Sequence, residues 1–301
     1  MQENEVKINR EHKDRLFRLI FGSEENKTNL LELYNALNDT SYSKLDGLEI
    51  TTIEDVIYMG MKNDVSLLIH SRMALYEHQS TYNPNMPIRG MMYAAKLYSK
   101  HIEKYDLNIY GETLMKLPVP QYIVFYNGSQ EHADEEILRL SDAFDTTENI
   151  TGYEWTARMF NINYGRNHKL MEKCKPLRDY AIFVDKIKSY INQKNSIVDA
   201  INQAVNECIK ENIMAEFLKT HRAEVIDMCI TEYNEEKVMD AIRKEAHTKG
   251  REEGRMEGIR NTLQTLLDCG VDIQTAVTRT AEQYKKNEKK IWDIWEKMDK
   301  I

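Results

Sequence analysis

A run of apolar residues near the middle of the chain limits the folds that this sequence can adopt. The segment LPVPQYIVFYNG is apolar at every position from Ile123 to Tyr126, and the Asn-Gly pair that follows is a typical turn. Successive side chains of a strand point to opposite faces of a sheet, so an uninterrupted run indicates a strand that is covered on both faces. Helices usually supply such cover, and the run therefore predicts an α/β fold.

The segments around this strand alternate between helical and strand patterns in the first half of the chain. Apolar positions in the expected helices recur every three or four residues. The predicted helices are a stripe at Leu16–Ile20 that Gly22 ends, a second at Asn29–Leu37, and an amphipathic one from Pro87 to Tyr105. The further predicted strands are Thr51–Tyr58, Met61–Ile69, Met73–Gln79 and Trp155–Asn163. Nearly everything after Lys169 has a helical pattern, which predicts an α/β core followed by an α-helical C-terminal region.

The composition is that of an ordered, soluble protein, since 42% of the 301 residues are hydrophobic and 30% are charged. The formal net charge of −8 argues against general binding to polyanions but is compatible with a local basic groove. The N-terminal segment MQENEVKINREHKDR is charged and lacks the apolar part of a secretory signal. The sequence contains no run of about 18 apolar residues, so it predicts no membrane span. We therefore expect a cytoplasmic protein with no membrane partner.

The four cysteines show no Cys-x-x-Cys spacing and fall mostly in segments with a helical pattern. Disulfide frameworks and zinc sites usually need closer, regular spacings. The sequence therefore predicts that all four cysteines are small buried residues and that the protein resides in a reducing compartment. The four are Cys174, Cys208, Cys229 and Cys269.

Three glycines recur every four residues in the C-terminal segment KGREEGRMEG, at Gly250, Gly254 and Gly258. Each glycine in a helix interior costs about 1 kcal/mol relative to alanine, so the repeat needs a physical reason. Two interpretations remain open: a smooth stripe for close contact between helices, or a polar linker helix between two domains. Either one places a boundary close to residue 245. We predict three regions, at residues 1–190, 191–245 and 246–301, with the last one serving oligomerisation or interaction.

Acidic residues stand in two neighbouring predicted strands, at Asp64 and Glu77. A tight hairpin centred on His70 and Ser71 would place residues whose numbers add up to 141 opposite each other. Asp64 then faces Glu77 with a Cβ separation of about 4.5–5.5 Å. Like charges at this spacing are destabilising unless a cation lies between them, and a divalent metal ion would resolve the conflict. The alternative is a pair of solvent-facing acids on a half-exposed sheet.

Other polar residues surround this pair in the predicted arrangement. Gln79 lies on the same face as Glu77 and is able to hydrogen-bond a water molecule or a phosphate. The helix that begins near Pro87 would direct N–H groups toward the same region, and Arg89 adds a cation. His78 points to the opposite face, which favours a packed or hydrogen-bonded residue over a metal ligand.

The chain resembles a known family in several stretches between residues 10 and 190. These are KDRLFRLIFG, KNDVSLLI, YEHQSTYNPNMPIR, LPVPQYIVFYNG and NINYGRNHKLMEKCKPLRDYAIFVDKI. Together with the spacing from Asp64 to Glu77-His78-Gln79, they are similar to the Rpn group of recombination-promoting nucleases, also described as transposases. That group belongs to the PD-(D/E)XK nuclease superfamily. The resemblance implies a PD-(D/E)XK nuclease-like core, with α-β-β-β-α-β order and a mixed sheet.

The resemblance implies a metal-dependent DNA endonuclease linked to DNA recombination, mobile elements or phage defence. In it, Asp64 and Glu77 bind the ion, with Mg²⁺ expected and Mn²⁺ or Ca²⁺ as alternatives. Gln79 takes the place of the usual catalytic lysine, and Asn63 takes that of the proline in the family motif. A glutamine only hydrogen-bonds the attacking water, which puts a fast nuclease in doubt. Asp14 is a candidate further ligand or, alternatively, a plain surface acid.

The candidate residues for DNA contact are Arg89, Tyr82 and Arg166, with His168 close to the last of them. The segment around Arg166 is otherwise expected only to link a strand to a helix. The resemblance further implies a homo-oligomer through the C-terminal helices, and a small inhibitory protein made from that region in some members. Two alternatives to the enzyme remain: a weak or inactive nuclease fold that binds DNA or a partner protein, and a helical interaction protein on an α/β scaffold.

Overall fold

The computed structural model describes residues 15–45, 47–51, 65–145, 152–193 and 196–298. At 234–240, 242, 243, 245, 297 and 298 it describes the backbone alone. None of the described helices has the length and apolar character needed to cross a membrane.

The first part of the chain forms a sheet with helices, and the second part is helical. The helices are α1 (Arg15–Phe21), α2 (Lys27–Asn38), α3 (Met86–Lys104), α4 (His168–Lys173), α5 (Lys175–Asn192), α6 (Ile197–Lys210), α7 (Ala215–Thr220), α8 (Arg222–Asp268), α9 (Ile273–Tyr284) and α10 (Glu288–Met298). The strands are β1 (Leu48–Ile50), β2 (Val65–Ile69), β3 (Arg72–Gln79), β4 (Val119–Tyr126), β5 (Glu135–Arg139) and β6 (Thr156–Asn161).

The six strands form one mixed sheet in the order β1-β2-β3-β4-β6-β5. Strands β1, β2 and β3 are antiparallel neighbours, β3, β4 and β6 run parallel, and β5 is antiparallel to β6. From α2 to β4 the elements follow the predicted α-β-β-β-α-β order. The α/β fold class is therefore confirmed. Of the strand predicted at Thr51–Tyr58, only Thr51 is described, and it follows the short strand β1.

The central strand is buried on both faces, as its apolar run predicts. On one face Ile123 and Phe125 join a cluster with residues of α1, α2, α5 and α6. On the other face Tyr122, Val124 and Tyr126 pack with residues of α3. This arrangement follows from the alternation of side chains along a strand, which divides the run between two layers of helices.

The chain divides into two compact units, one up to Tyr233 and one from Asn234 onward. Helix α8 runs without a break through residue 245, and the predicted three-part division stays a prediction. In the second unit the C-terminal part of α8 packs with α9 and α10 around Ile259, Leu263, Val277 and Ile291.

The glycines of α8 differ in what surrounds them. A Cβ at Gly258 would lie 2.8 Å from the Tyr284 hydroxyl of α9, so this glycine allows close approach of the two helices. A Cβ at Gly250 or Gly254 would meet no atom within 4 Å. Contact between helices therefore explains one glycine of the three within the described residues, and oligomerisation through the repeat stays a prediction.

The reactivity of the four cysteines provides a direct test, in solution, of which thiols are buried. Cys174, Cys208 and Cys229 are buried, whereas the prediction of burial is wrong for Cys269, which is exposed after α8. Burial raises the pKa of Cys174 and Cys208 to about 12, and it also raises the pKa of Cys229. The thiolate is the reactive form, so we expect one thiol of the native protein to react rapidly with an aromatic disulfide reagent at pH 8.

Urea should make all four cysteines reactive, because unfolding exposes the buried thiols. The variant Cys269→Ser is the control and should lack the rapid phase in the native protein. Two or more rapid thiols in the wild type would contradict the burial of the other cysteines.

Candidate active site

The hairpin of β2 and β3 has the predicted register. Val65 pairs with Tyr76, Ser66 with Leu75, and the remaining pairs continue to Ile69 and Arg72, so that each pair of numbers adds up to 141. His70 has φ +51°, a left-handed conformation that lets the chain reverse within two residues. One further step of this register would bring position 64 opposite Glu77. Asp64 itself lies outside the described residues, and so does Asp14; their roles as ligands stay predictions.

Glu77 is a buried carboxylate at the sheet face that α3 covers. Its side chain is 2% exposed, and its neighbours on the same face, Met73 and Leu75, belong to the apolar cluster against α3. Its Oε1 atom accepts a hydrogen bond from Arg89 Nη2 and lies 3.5 Å from Gln79 Nε2. The predicted common face of Glu77 and Gln79 is thus confirmed.

Besides its ion pair with Glu77, the Arg89 side chain contacts two other residues of its own helix, α3. Its Nη2 and Nε atoms donate to the Tyr93 hydroxyl at 3.0 and 3.3 Å, and Nη1 donates to Met86 Sδ at 3.6 Å. Burial by itself would lower the pKa of Arg89, but the negative charge of Glu77 and the contacts with Tyr93 raise it. The guanidinium is therefore a permanent positive charge beside the buried acid.

The sequence of α3 explains how Arg89 comes so close to β3. Asn85 precedes the helix and Pro87 lies in its first turn, as predicted. A Cβ at Gly90 would lie 2.2 Å from Tyr122 Cδ1, so glycine allows α3 to approach β4 closely. Because Gly90 directly follows Arg89, this close packing fixes the depth at which the guanidinium meets Glu77.

The carboxyl ends of the three parallel strands form a polar edge that sequence reasoning missed. Gln79, Tyr126 and Asn161 lie in register there. Lys188 of α5 donates to the Asn127 carbonyl at 2.6 Å, and Asn163 Nδ2 donates to the Gly128 carbonyl at 3.0 Å. The Asn127-Gly128 turn was a sequence signal for the end of β4, but no pattern linked it to a lysine 61 positions later.

His78 lies on the opposite face, packed as predicted. It is fully buried, stacks on Phe17 at 5.3 Å between ring centroids, and its Nε2 atom is 2.9 Å from the Tyr180 hydroxyl. Burial lowers its pKa to about 4, Lys188 acts in the same direction, and Glu232 opposes the shift. The residue is thus a neutral core histidine at physiological pH.

Two of the other candidates for DNA contact, Tyr82 and Arg166, already contact protein groups. The Tyr82 ring stacks on His132 with 4.4 Å between centroids. Arg166 Nη1 lies 3.7 Å from an Asp134 carboxylate oxygen, with both side chains nearly half exposed. His168 is exposed at the start of α4. Their contact with DNA stays a prediction.

The predicted metal site rests on one described carboxylate. No group of three or more His, Cys, Asp or Glu residues in the described ranges is placed to hold a metal ion. The chemistry at Glu77 nevertheless fits a cation, since it combines a carboxylate with an amide side chain and already accommodates a guanidinium charge. If an ion binds here, Glu77 is the described residue that would hold it.

Comparison of the chain with protein-family models, with curated proteins and with solved structures gives no match. The structure itself establishes an α/β fold with a six-stranded mixed sheet. Membership of the PD-(D/E)XK superfamily stays a prediction from the sequence resemblance.

Proposed function

We propose that this protein is a metal-dependent DNA endonuclease that hydrolyses phosphodiester bonds. The observation that carries the proposal is the buried carboxylate of Glu77, which directly follows the last described pair of the β2–β3 hairpin, Val65 with Tyr76. An acid that is 2% exposed is costly to bury, and such groups concentrate at functional sites. The sequence resemblance supports the same reaction class and a link to recombination, mobile elements or phage defence.

Each side chain has a role that its chemistry allows. A divalent ion would polarise the phosphoryl oxygen and make a bound water more acidic. Glu77 would hold that ion, together with Asp64 and Asp14 if these reach the site. Gln79 has an amide that orients a water molecule by hydrogen bonding and carries no charge. Arg89 has a planar fork of N–H donors that suits phosphate oxygens.

Replacing Glu77 by Gln tests the proposal. The change keeps the size of the side chain and removes the charge that holds a cation. We expect nicking of supercoiled plasmid DNA by the purified protein in Mg²⁺ or Mn²⁺, and a loss of about 100-fold or more in the variant, on the scale seen when one charge-stabilising group is removed.

The matched control is Glu216→Gln, which makes the same change at an exposed position of α7. It should nick at the wild-type rate. Equal cutting by the wild type and Glu77→Gln would show that the activity is a contaminant or that the site lies elsewhere.

A weak or inactive nuclease fold is the second candidate, and the Arg89–Glu77 ion pair favours it. The guanidinium occupies one of the two oxygens of the Glu77 carboxylate, and Gln79 supplies no charge in place of a lysine. Such a protein would bind DNA or a partner protein through the same surface. It predicts DNA binding that is unchanged by Glu77→Gln, with no metal-dependent nicking by the wild type.

A further inference from the structure

The guanidinium of Arg89 compensates the charge of the Glu77 carboxylate, which is almost fully buried. A buried charge that loses its partner is strongly destabilising, because water no longer solvates it. At 2% exposure, the Glu77 carboxylate therefore needs another positive charge beside it when no metal ion is bound. In the structure Arg89 supplies that positive charge.

The contacts of Arg89 would keep it near the site after it lost Glu77. The Tyr93 hydroxyl and Met86 Sδ both come from α3, the helix that carries Arg89. The guanidinium carbon also lies 5.8 Å from the centroid of the Tyr93 ring. The side chain is 31% exposed, so part of it already reaches solvent and an incoming ligand.

We propose that Arg89 has two alternating partners: it competes with a divalent ion for Glu77 and, once displaced, binds the phosphate of the DNA backbone. This inference rests on the proposed nuclease function. The ion pair neutralises the charge of Glu77 in the resting site and lowers the affinity of that carboxylate for metal. The displaced guanidinium then provides, from α3, the positive charge that Gln79 does not provide from β3.

The test measures Mn²⁺ binding by titration calorimetry in the absence of DNA. Arg89→Met removes the competing charge and keeps an unbranched side chain. We expect it to bind Mn²⁺ about tenfold more tightly than the wild type, at the lower end of the effect that a neighbouring arginine has on proton binding by a carboxylate. Its single-turnover nicking in saturating Mn²⁺ should be slower, because the phosphate contact is lost. Tighter metal binding with slower cleavage is a combination that a merely structural role would not produce.

Two further variants keep the test decisive. Lys100→Met removes one positive charge about 16 Å further along α3 and should leave Mn²⁺ affinity within twofold of the wild type. Arg89→Gln also removes the competing charge but keeps an amide that is able to hydrogen-bond the Tyr93 hydroxyl, so it should bind Mn²⁺ more tightly than the wild type. It serves as the test if Arg89→Met fails to fold.

The outcomes separate this inference from the proposed function. If Glu77→Gln abolishes Mn²⁺ binding, but Arg89→Met or Arg89→Gln leaves it unchanged or weakens it, the competition by Arg89 is overturned and the metal site is retained. The absence of Mn²⁺ binding in the wild type and in both Arg89 variants overturns the metal site, and the inference falls with it.

Discussion

Replacing Phe125 by Ala is expected to lower the free energy of unfolding of the first unit by about 3–5 kcal/mol. Phe125 is fully buried in the central strand, 5.2 Å from the Phe17 ring and 5.7 Å from the Tyr76 ring between centroids. The loss combines the transfer of a large apolar side chain with the cavity that remains, since strands on both sides of β4 prevent collapse around it. Urea unfolding followed by hydrogen exchange of the β3 and β4 amides would measure it.

Val119→Ala is the control for this prediction. Val119 begins the same strand but is 59% exposed, so its truncation should change the free energy of unfolding by no more than about 0.5 kcal/mol. Similar effects at both positions would mean that β4 is not covered on both faces in solution.

Acidification from pH 6.5 to pH 4 is expected to lower the free energy of unfolding through His78, by an amount on the order of 3 kcal/mol. Burial lowers the pKa of His78 to about 4 in the folded protein, with a further lowering by Lys188 and an opposing effect of Glu232. In the unfolded chain the same imidazole has a pKa of about 6.5. Between these values the unfolded state binds the proton and the folded state does not. Stability from this group is thus complete above pH 6.5 and decreases toward pH 4.

The measurement is a series of urea unfolding curves between pH 4 and pH 8 for the wild type and for His78→Gln. The variant loses the ring stacking on Phe17 and should be less stable at pH 7, but its free energy of unfolding should decrease less on acidification. The same substitution at His101, on α3, should leave the wild-type pH dependence in place. Parallel pH profiles for the wild type and His78→Gln would contradict the lowered pKa.

The fold class follows from patterns that are local in the sequence. The apolar run at Ile123–Tyr126 predicts a strand between two layers, and the structure places helices on both faces. The helix predicted from Pro87 to Tyr105 and the strand predicted from Met73 to Gln79 lie within one residue of the observed bounds of α3 and β3. Strand β5 was missed because the segment EEILR is largely polar and lies at the edge of the sheet, where it buries little.

The candidate site was predictable only in part. Alternation along β3 places Glu77 and Gln79 on one face and His78 on the other, and the structure confirms this division. The ion pair of Arg89 with Glu77 was not predicted, although Arg89 was placed near the site. Sequence spacing gives the turn of α3 on which Arg89 lies, but not how deeply the helix packs against the sheet.

The sequence by itself determined the register of the β2–β3 hairpin and the face on which each polar residue lies. Both follow from the two-residue period of a strand and from a short turn, which involve only neighbouring residues. The tertiary structure decided which cation meets Glu77 and which lysine reaches the Asn127 carbonyl. Those contacts depend on how helices pack against the sheet, as at Gly90 and Tyr122, and such packing joins residues far apart in the chain.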